Sequence, residues 1–326
     1  MNLMMLLGGG VLLYFGAEWL VGGASGLARA LGVPQLLIGL TVVAYGTSAP
    51  EVVVGVKASL AGAGGIALGN VVGSNIANLG LILGVTALLS PARVDGALSR
   101  REVPVLLLAT LAIPVVLIDG VVTRLEGAGL VLAAVGYSVW MVASTRRSMK
   151  AEAADAARDA GQMEKAADLA GAPTARGKGK LAGTALAGLA FLVLGGSLFV
   201  DGASGLARSW GMSERIIGLT IVAVGTSLPE LATSLIAAWR GHSDISVGNV
   251  VGSNIFNALL CLGAAALLAP VEAPLVSVRF DLAVMVVLTV FGAIAMRGAR
   301  VIGRVEGGLL LSVYVGFLVA LGFLPA

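Results

Sequence analysis

GTSAPE, residues 46–51, places a glutamate directly after a proline inside a long apolar stretch, and GTSLPE follows the same pattern at residues 225–230. Both hexapeptides interrupt runs of the length and apolar character that membrane-spanning helices need. A charge at the centre of a bilayer costs at least ~2.5–3.5 kcal/mol on insertion scales, so an intramembrane glutamate is a functional candidate. The repeated charge therefore indicates a membrane protein with a polar site in its interior.

The hexapeptides belong to two copies of a longer unit. A shift of 179 positions places residues 39–91 onto residues 218–270 without a gap, and more than half of these 53 positions are identical. The octapeptide GNVVGSNI occurs at 69–76 and again at 248–255. The sequence therefore predicts two copies of one structural unit.

The composition is that of a polytopic membrane protein. Of 326 residues, 58% are hydrophobic and 12% are charged, whereas a soluble domain carries about 25% charged residues. The net charge of +3 does not indicate nucleic-acid binding, because the cations cluster in short loops between apolar runs. Cys261 is the only cysteine, which excludes an intrachain disulfide and argues against a cysteine-based metal site. The first apolar run lacks the basic region of a signal peptide, and we expect an uncleaved helix.

Apolar runs separated by Gly, Pro or charge predict an all-α protein with ten membrane-spanning helices, called spans 1–10 here. Their approximate bounds are 3–24, 33–60, 66–89, 102–119, 125–145, 181–205, 213–239, 245–268, 279–296 and 304–324. Between spans 5 and 6, residues 146–180 hold eight Lys/Arg and five Asp/Glu, which predicts a solvated and partly helical linker. The predicted organisation is one five-helix repeat at 1–145, the linker at 146–180, and a second five-helix repeat at 181–326.

An odd number of spans in each repeat predicts that the second copy enters the membrane upside down. Such inverted repeats are common in secondary transporters, whose site lies near the midplane where the repeats meet. If both termini are outside, the inside loops hold sixteen Lys/Arg and the outside loops hold five. The positive-inside rule favours that orientation, with the linker in the cytoplasm of a multi-pass protein of the cytoplasmic (inner) membrane.

Pro50 predicts a break in span 2. Proline has no N–H, and its ring clashes with the carbonyl four residues earlier, here that of Gly46. Proline also disfavours helical geometry at the preceding residue, Ala49. We expect a break near residues 46–50, and a matching break at 225–229 in span 7. Irregular backbone at membrane depth is tolerated where it is buried in protein or lines a cavity.

The candidate ion ligands are oxygen atoms on the two repeated motifs. Thr47, Ser48 and Glu51 lie at the predicted break, while Ser74 and Asn78 share one face of span 3. The corresponding residues of the second copy are Thr226, Ser227, Glu230, Ser253 and Asn257. Carboxylate, hydroxyl, amide and backbone carbonyl oxygens suit hard cations such as Ca²⁺, Na⁺ or Mg²⁺ better than soft transition metals.

Other polar residues have structural interpretations. Glu18 has no acidic counterpart in the second copy, and we expect it near a helix end. Glu126 and Glu306 begin spans, where a carboxylate suits a helix N-terminus. His242 is the single histidine and is expected to be solvated in a short loop, and Cys261 is expected in the core.

The paired G-T-S-x-P-E and G-N-x-x-G-S-N-I motifs resemble the two α-repeats of the sodium/calcium exchanger family, within the cation/Ca²⁺ antiporter superfamily. The resemblance covers nearly the whole chain. It implies ten transmembrane helices, with helices 2, 3, 7 and 8 around the ion sites and helices 1 and 6 sliding across them. By motif, it implies ion ligation by the Ala44 carbonyl, Thr47, Ser48, Glu51, Ser74, Asn78, the Ala223 carbonyl, Thr226, Ser227, Glu230, Ser253 and Asn257.

The resemblance implies antiport of Na⁺ against Ca²⁺ by alternating access, with three Na⁺ exchanged for one Ca²⁺ and Ca²⁺ normally extruded. It implies no enzymatic activity and no cofactor besides the transported ions. The expected surroundings are the lipid bilayer, without nucleic acid or a protein partner. Members of the family often carry Asp where this chain has Asn257, so Glu51 and Glu230 alone bring charge to the site.

Three other functions are consistent with parts of the pattern. Protons on Glu51 and Glu230 could replace Na⁺, which gives an H⁺/Ca²⁺ antiporter, and a K⁺-dependent Na⁺/Ca²⁺ antiporter is a close variant. A cation channel could use the same oxygen ligands, although paired broken helices favour alternating access. An intramembrane serine protease would need His242 as its base, and that residue has no counterpart in the first repeat.

Overall fold

The computed structural model describes residues 1–94, 96, 98–159, 175–211, 223–298 and 301–323, and helices dominate these residues. The α-helices are α1 (Asn2–Leu31), α2 (Gln35–Ile38), α3 (Ala44–Thr47), α4 (Ala49–Leu60), α5 (Gly64–Ala77), α6 (Gly84–Leu89), α7 (Val103–Val116), α8 (Arg124–Asp159), α9 (Ala175–Ser209), α10 (Ala223–Gly225), α11 (Leu228–Trp239), α12 (Ser243–Phe256), α13 (Leu262–Leu268), α14 (Leu275–Gly298) and α15 (Arg304–Phe323). Within the described residues, four π-helical segments adjoin these helices: π1 (Gly39–Val43), π2 (Asn78–Leu83), π3 (Leu98–Glu102) and π4 (Asn257–Cys261). Four two-residue strands are β1 (Ala92–Arg93), β2 (Val121–Val122), β3 (Val271–Glu272) and β4 (Val301–Ile302).

Seven helices in the described residues are long and apolar enough to cross a membrane, or eight if the bent pair Gln35–Thr47 and Ala49–Leu60 is one span. These correspond to every predicted span except 4 and 7. Span 4 is divided between π3 and α7, which has only 14 residues. Span 7 begins in residues 212–222, outside the described part of the chain. The structure is therefore that of a helical, multi-pass membrane protein.

Spans 3 and 8 form the centre of the molecule. The helical spans Gly64–Leu89 and Ser243–Leu268 are mostly buried inside the protein, whereas the other long spans are mainly exposed. Ile76 and Leu83 of span 3 are fully buried in the largest hydrophobic cluster. Lipid is as apolar as these side chains, so close packing rather than removal from water holds the spans together.

Helices α1 and α9 run antiparallel along a seam of glycines. The glycines recur every seven residues and are Gly9, Gly16 and Gly23 in α1 and Gly188, Gly195 and Gly202 in α9. A Cβ atom at Gly16 would lie 2.8 Å from the Leu192 backbone nitrogen, and one at Gly188 would lie 2.4 Å from that of Leu20. Side chains at these positions would force the two backbones apart.

Many residues 179 or 180 positions apart have the same local structure, although π3 has no counterpart, because the equivalent residues belong to the continuous helix α14. A π-helix begins at Asn78 and another at Asn257. β1 pairs antiparallel with β4, and β2 pairs antiparallel with β3, so each pair consists of one strand from each repeat. The hydroxyls of Thr110 and Thr289, which are 179 positions apart, lie 3.4 Å from each other.

Span 2 breaks where the sequence predicts. The segments on either side of the break are bent by 42°. The non-helical residue is Ser48, with φ −84° and ψ 4°, whereas Ala49 already belongs to α4. The prediction that Ala49 would leave helical geometry was therefore wrong by one residue. Because α4 restarts at Ala49, Pro50 occupies its first turn, where no N–H is needed for an intrahelical bond.

Two structural interpretations from the sequence were wrong. Glu18 lies in the middle of α1, which is longer than predicted, and its carboxylate accepts hydrogen bonds of 3.0 and 2.6 Å from Arg240. His242 is half-buried rather than solvated, because its loop packs on the start of α2 and its Nδ1 lies 3.0 Å from Oε1 of Gln35. Burial, followed by the charges of Arg29 and Arg240, lowers the pKa of His242.

The remaining structural interpretations are confirmed. Glu126 Oε2 accepts a hydrogen bond of 2.8 Å from the Thr123 N–H at the start of α8. Glu306 Oε2 does the same for the N–H of Gly303, at 3.0 Å, beside the start of α15. Cys261 is fully buried in the core.

The linker is helical at both ends. α8 continues past residue 145 to Asp159, and α9 begins at Ala175, which agrees with the expected partial helicity. Residues 160–174 lie outside the described part of the chain.

Candidate functional site

The breaks of spans 2 and 7 place two carboxylates in the protein interior. Glu51 lies in the first turn of α4 and Glu230 in the first turn of α11. Their side chains are 0% and 1% exposed. A helix N-terminus carries positive partial charge and unpaired N–H groups, so it favours a carboxylate. Restarting the helix just before each glutamate therefore offsets part of the cost of burying its charge.

The two carboxylates share one site. The Ser48 hydroxyl of the first copy donates a 3.0 Å hydrogen bond to Oε1 of Glu230 in the second. Glu51 lies close enough to Glu230 for their charges to interact, and close to the hydroxyls of Ser74 and Ser227. Neither Glu51 oxygen has a hydrogen-bond partner of good geometry, nor does Oε2 of Glu230. The site thus combines residues of both repeats.

Several other buried oxygens at the site lack a hydrogen-bond partner. They are the hydroxyls of Ser74, Ser227 and Ser253 and the amide oxygen of Asn78. An unpaired buried polar group costs about 1–3 kcal/mol, and a charged one costs more. The described residues contain no group of three or more His, Cys, Asp or Glu that could hold a metal. A bound cation would therefore draw most of its ligands from neutral oxygens, which fits Na⁺ and Ca²⁺.

Thr47 and the Ala44 carbonyl lie beside the break but have partners. The Thr47 hydroxyl is 3.1 Å from the Val43 carbonyl and 3.2 Å from Oδ1 of Asn249. The Ala44 carbonyl accepts a 3.0 Å hydrogen bond from the N–H of Ser48. The Thr47 hydroxyl also lies 3.5 Å from this carbonyl, a long contact beside the bond from Ser48.

The second copy is described from Ala223 onward. Ala223 begins α10, and Thr226 lies between α10 and α11 with its side chain half-buried. The equivalents of π1 and of the preceding turn fall within residues 212–222, outside the described residues.

Asn78 and Asn257 stand where α-helix changes to π-helix. Asn78 donates to Oδ1 of Asn254 at 3.4 Å, and its own Oδ1 has no partner. Asn257 Oδ1 accepts from the Cys261 thiol at 3.3 Å, and its Nδ2 has no partner. Single π-turns inside α-helices often occur at functional sites, because the wider turn redirects side chains. Both amides are fully buried.

Two positioning residues escaped the sequence analysis. Asn70 donates to the backbone carbonyl of Glu51 at 3.2 Å, and Asn249 donates to that of Glu230 at 3.4 Å. Asn249 also donates to the hydroxyl of Ser234 at 3.0 Å. Each asparagine is the first Asn of its GNVVGSNI motif, 19 positions after the glutamate that it contacts. This identical spacing in the two copies could have pointed to the two asparagines from the sequence alone.

A second pair that escaped prediction joins spans 3 and 8 directly. The amide of Asn75 donates to the backbone carbonyl of Asn254, its counterpart in the other copy, at 3.4 Å. The same amide lies 3.9 Å from the sulfur of Met285. The first contact joins the two central spans, and the second joins span 3 to span 9.

A cavity of about 290 Å³ borders the site on one side. It lies between α9, α4 and the break of span 7, and its lining includes Pro50, Thr226 and Pro229. α9 covers the break closely: a Cβ at Gly196 would lie 3.7 Å from the Pro229 ring. The cavity therefore reaches a candidate ligand, Thr226, and the two prolines next to the buried glutamates.

The whole chain is similar to known exchangers. The family described as "Sodium/calcium exchanger protein" matches residues 1–143 and 180–323. Sodium/calcium exchanger MaX1 of Methanosarcina acetivorans is 34% identical over 346 aligned positions, covering 99% of each chain. Inner membrane protein YrbG of Escherichia coli is 37% identical over 323 positions, covering 98% of this chain and 95% of the relative.

The solved structures agree with the sequence relatives. The sodium-calcium exchanger NCX_Mj, in crystals soaked with 10 mM Na⁺ and no Ca²⁺, superposes with a TM-score of 0.83 at 32% identity, covering 98% of both chains. Three findings agree: the family match covers both repeats, a full-length relative is more than 30% identical, and the fold is shared along the full length. The chain belongs to the sodium/calcium exchanger family.

Proposed function

We propose that this chain is a secondary active antiporter that exchanges Na⁺ for Ca²⁺ by alternating access and normally extrudes Ca²⁺. The observation that carries the proposal is the pair of buried glutamates, one from each repeat, surrounded by unpaired oxygens. The relative MaX1 is named a sodium/calcium exchanger, which supports the same ions. The chemistry requires no cofactor and no covalent step, so the chain acts as a transporter and not as an enzyme.

We propose that oxygens from both copies ligate the ions. The proposed ligands are the Ala44 carbonyl, Thr47, Ser48, Glu51, Ser74, Asn78, the Ala223 carbonyl, Thr226, Ser227, Glu230, Ser253 and Asn257. Asn70 and Asn249 would hold the two glutamates in place through their backbone carbonyls.

Charge balance couples the two fluxes. Closing the site to water on both sides with two unpaired carboxylates is costly, because each ionised group loses its hydration. One Ca²⁺ balances Glu51 and Glu230, and Na⁺ ions do the same. The protein would then change its facing direction only when loaded, which makes the exchange obligatory.

The proposed architecture has ten transmembrane helices in two inverted five-helix repeats at 1–145 and 181–326. The helices of spans 2 and 7 are broken, and the linker at 146–180 lies in the cytoplasm. The strand pairs support this topology. Counting spans from an outside N-terminus puts the loops that contain β1 and β4 on the inside of the membrane and those that contain β2 and β3 on the outside. The observed pairs, β1 with β4 and β2 with β3, each join two loops on the same side.

The proposed location is the cytoplasmic (inner) membrane, with both termini outside. The excess of cations in the loops assigned to the inside supports this orientation. The relative YrbG is named an inner membrane protein, which supports the location. No protein partner is part of the proposal.

Flux in reconstituted vesicles tests the function. Purified protein is placed in lipid vesicles loaded with Na⁺, and uptake of ⁴⁵Ca²⁺ is followed after dilution into Na⁺-free medium. We expect uptake that needs the outward Na⁺ gradient, stops when a Na⁺ ionophore removes it, and does not require K⁺. Uptake that ignores Na⁺ and follows a pH gradient would overturn the proposal.

One observation favours an alternative coupling ion. Asn78 and Asn257 are neutral, so Glu51 and Glu230 are the two acidic members of the proposed ligand set, and each can take up a proton. An H⁺/Ca²⁺ antiporter would accumulate ⁴⁵Ca²⁺ in Na⁺-free vesicles in response to a pH gradient alone. A requirement for K⁺ together with Na⁺ would instead indicate the K⁺-dependent variant, and single-channel currents would indicate a channel.

A further inference from the structure

The two sides of the candidate site differ in packing, although the sequences on both sides are related. On one side, Ile245 is 0% exposed and packs in a cluster with Ala17 and Val21 of α1. Its counterpart in the other copy, Ile66, is 63% exposed. In the proposed topology Val54, Asp201 and Ile66 all lie toward the outer face, so the cavity beside α4 and α9 is on the side of Ile66. This difference in packing favours an ion route past α9 and a closed opposite side at α1.

One carboxylate lines that cavity. Asp201 of α9 is exposed and lies beside Val200, whose side chain contacts Gly225 at the break of span 7. Among the described residues, no hydrogen bond or ion pair involves the Asp201 carboxylate. Its lining neighbours include Val54, Val193 and Pro229, so the walls around it are largely apolar.

The corresponding surface of α1 has a different charge arrangement. The counterpart of Asp201 is Gly22, and the counterpart of Ser197, which also lines the cavity, is Glu18. Glu18 is neutralised by Arg240 at 2.6 Å. The acid on the closed side is therefore paired, whereas the acid on the open side is available to ions.

We propose that Asp201 is a recruiting residue, which draws hydrated Na⁺ and Ca²⁺ into the cavity before they reach Thr226 and the buried glutamates. A charged group in a cleft with low-dielectric walls focuses the electric field and raises the local concentration of counter-ions. Its carboxylate is a hard oxygen ligand that Ca²⁺ and Na⁺ bind through or beside their hydration water. The inference rests on the proposed exchange function, and it adds a residue outside the ligand set of that function.

The substitution Asp201→Asn tests the role, because it removes the charge and keeps the shape. Right-side-out and inside-out membrane vesicles are compared for Na⁺-driven ⁴⁵Ca²⁺ uptake. We expect the Ca²⁺ concentration for half-maximal uptake to rise about 3–10-fold from the outer side only, with an unchanged maximal rate. The difference should shrink as choline chloride is added, because salt screens exposed charges over about 10 Å at 0.1 M.

Asp119→Asn is the matched control. Asp119 carries the same charge on the same proposed side of the membrane, and it caps a turn outside the cavity. We expect this variant to behave like the wild type. An unchanged half-maximal concentration in Asp201→Asn, or an equal change from both sides, would overturn the recruiting role.

A binding rate separates this inference from the exchange function. Stopped-flow fluorescence of the detergent-purified protein gives the rate constants for Ca²⁺ association and dissociation in the absence of Na⁺. We expect Asp201→Asn to slow association and to leave dissociation unchanged. Wild-type vesicles that show no Na⁺-driven uptake would reject the exchange function, whereas equal association rates in wild type and variant would reject the recruiting role alone.

Discussion

Glu51 and Glu230 hold equivalent positions in two near-identical hexapeptides, but their surroundings differ in the structure. Ser48 donates to Glu230, while its counterpart Ser227 comes close to Glu51 without forming a hydrogen bond of good geometry. In the proposed inverted-repeat architecture, the two copies would adopt unequal conformations and exchange them as the transporter changes its facing direction. We interpret the unequal bonding of the two glutamates as the residue-scale trace of that inequality.

Neutralising either glutamate should abolish exchange. Removing one partner of a buried charge pair costs about 2–5 kcal/mol, and here the pair is a glutamate with the bound cation. Glu51→Gln and Glu230→Gln should therefore each lower Na⁺-driven ⁴⁵Ca²⁺ uptake by roughly 30-fold or more. Glu126→Gln, which changes a half-buried capping carboxylate outside the site, is the matched control and should transport normally. Near-normal flux in either site variant would place ion binding elsewhere in the chain.

The positioning asparagines should have graded effects. Asn249 is fully buried and contacts Glu230, Ser234 and Thr47. Asn70 is half-buried, and within the described part of the chain its side chain makes one hydrogen bond, to the Glu51 carbonyl. An unpaired buried group costs about 1–3 kcal/mol, so Asn249→Ala should weaken Ca²⁺ affinity by about 5–150-fold. Asn70→Ala should have a smaller effect. Ca²⁺ titration of uptake measures both, and the reverse order of effects would contradict these positioning roles.

At the scale of elements, the break of span 2 could be predicted because proline has a local and strong effect on a helix. The π-turns at Asn78 and Asn257 could not be predicted, because they depend on how spans 3 and 8 pack against each other. The same limit applies to Glu18: its partner Arg240 lies 222 positions away, and only the crossing of α1 over α11 joins them. The proline break could therefore be predicted from local sequence, whereas the π-turns and the contacts between helices could be seen only in the assembled structure.

The glycine seam between α1 and α9 should be intolerant of side chains. A Cβ at Gly16 would lie 2.8 Å from one backbone atom of α9 and 2.9 Å from another, so Gly16→Ala should destabilise the protein by about 1–3 kcal/mol. Gly22→Ala in the same helix is the matched control, since its Cβ would meet nothing within 4 Å. The melting temperatures of the two variants are compared by heating each protein and measuring the remaining folded fraction by size-exclusion chromatography. Equal melting temperatures would show that the seam can open without cost.

At the scale of the whole molecule, internal repetition was the strongest information in the sequence. It gave the two copies, the placement of the glutamates and the expectation of an inverted topology. Ile66 and Ile245 show its limit, because equivalent isoleucines are exposed in one copy and buried in the other. Under the proposed alternating access, one sequence specifies both conformations, so the closed side of this structure could not be predicted from the sequence.

The inverted topology has a labelling test. Cys261→Ser gives a cysteine-free background, because this residue is the only cysteine. Single cysteines then replace Asp119, in a loop assigned to the outside, and Lys180, at the exposed end of the linker. In intact cells, we expect a membrane-impermeant thiol reagent to label the first and not the second. The opposite pattern would invert the proposed orientation, and labelling of both positions would reject the topology.

The central claim is that a single site, built by both repeats, holds Ca²⁺ and Na⁺ in turn. Calorimetric titration of Ca²⁺ into the purified protein at increasing Na⁺, with choline keeping ionic strength constant, tests it most directly. We predict that the apparent dissociation constant for Ca²⁺ rises more steeply than the first power of Na⁺ concentration, because more than one Na⁺ displaces each Ca²⁺. Ca²⁺ affinity that stays constant as Na⁺ replaces choline would contradict the account.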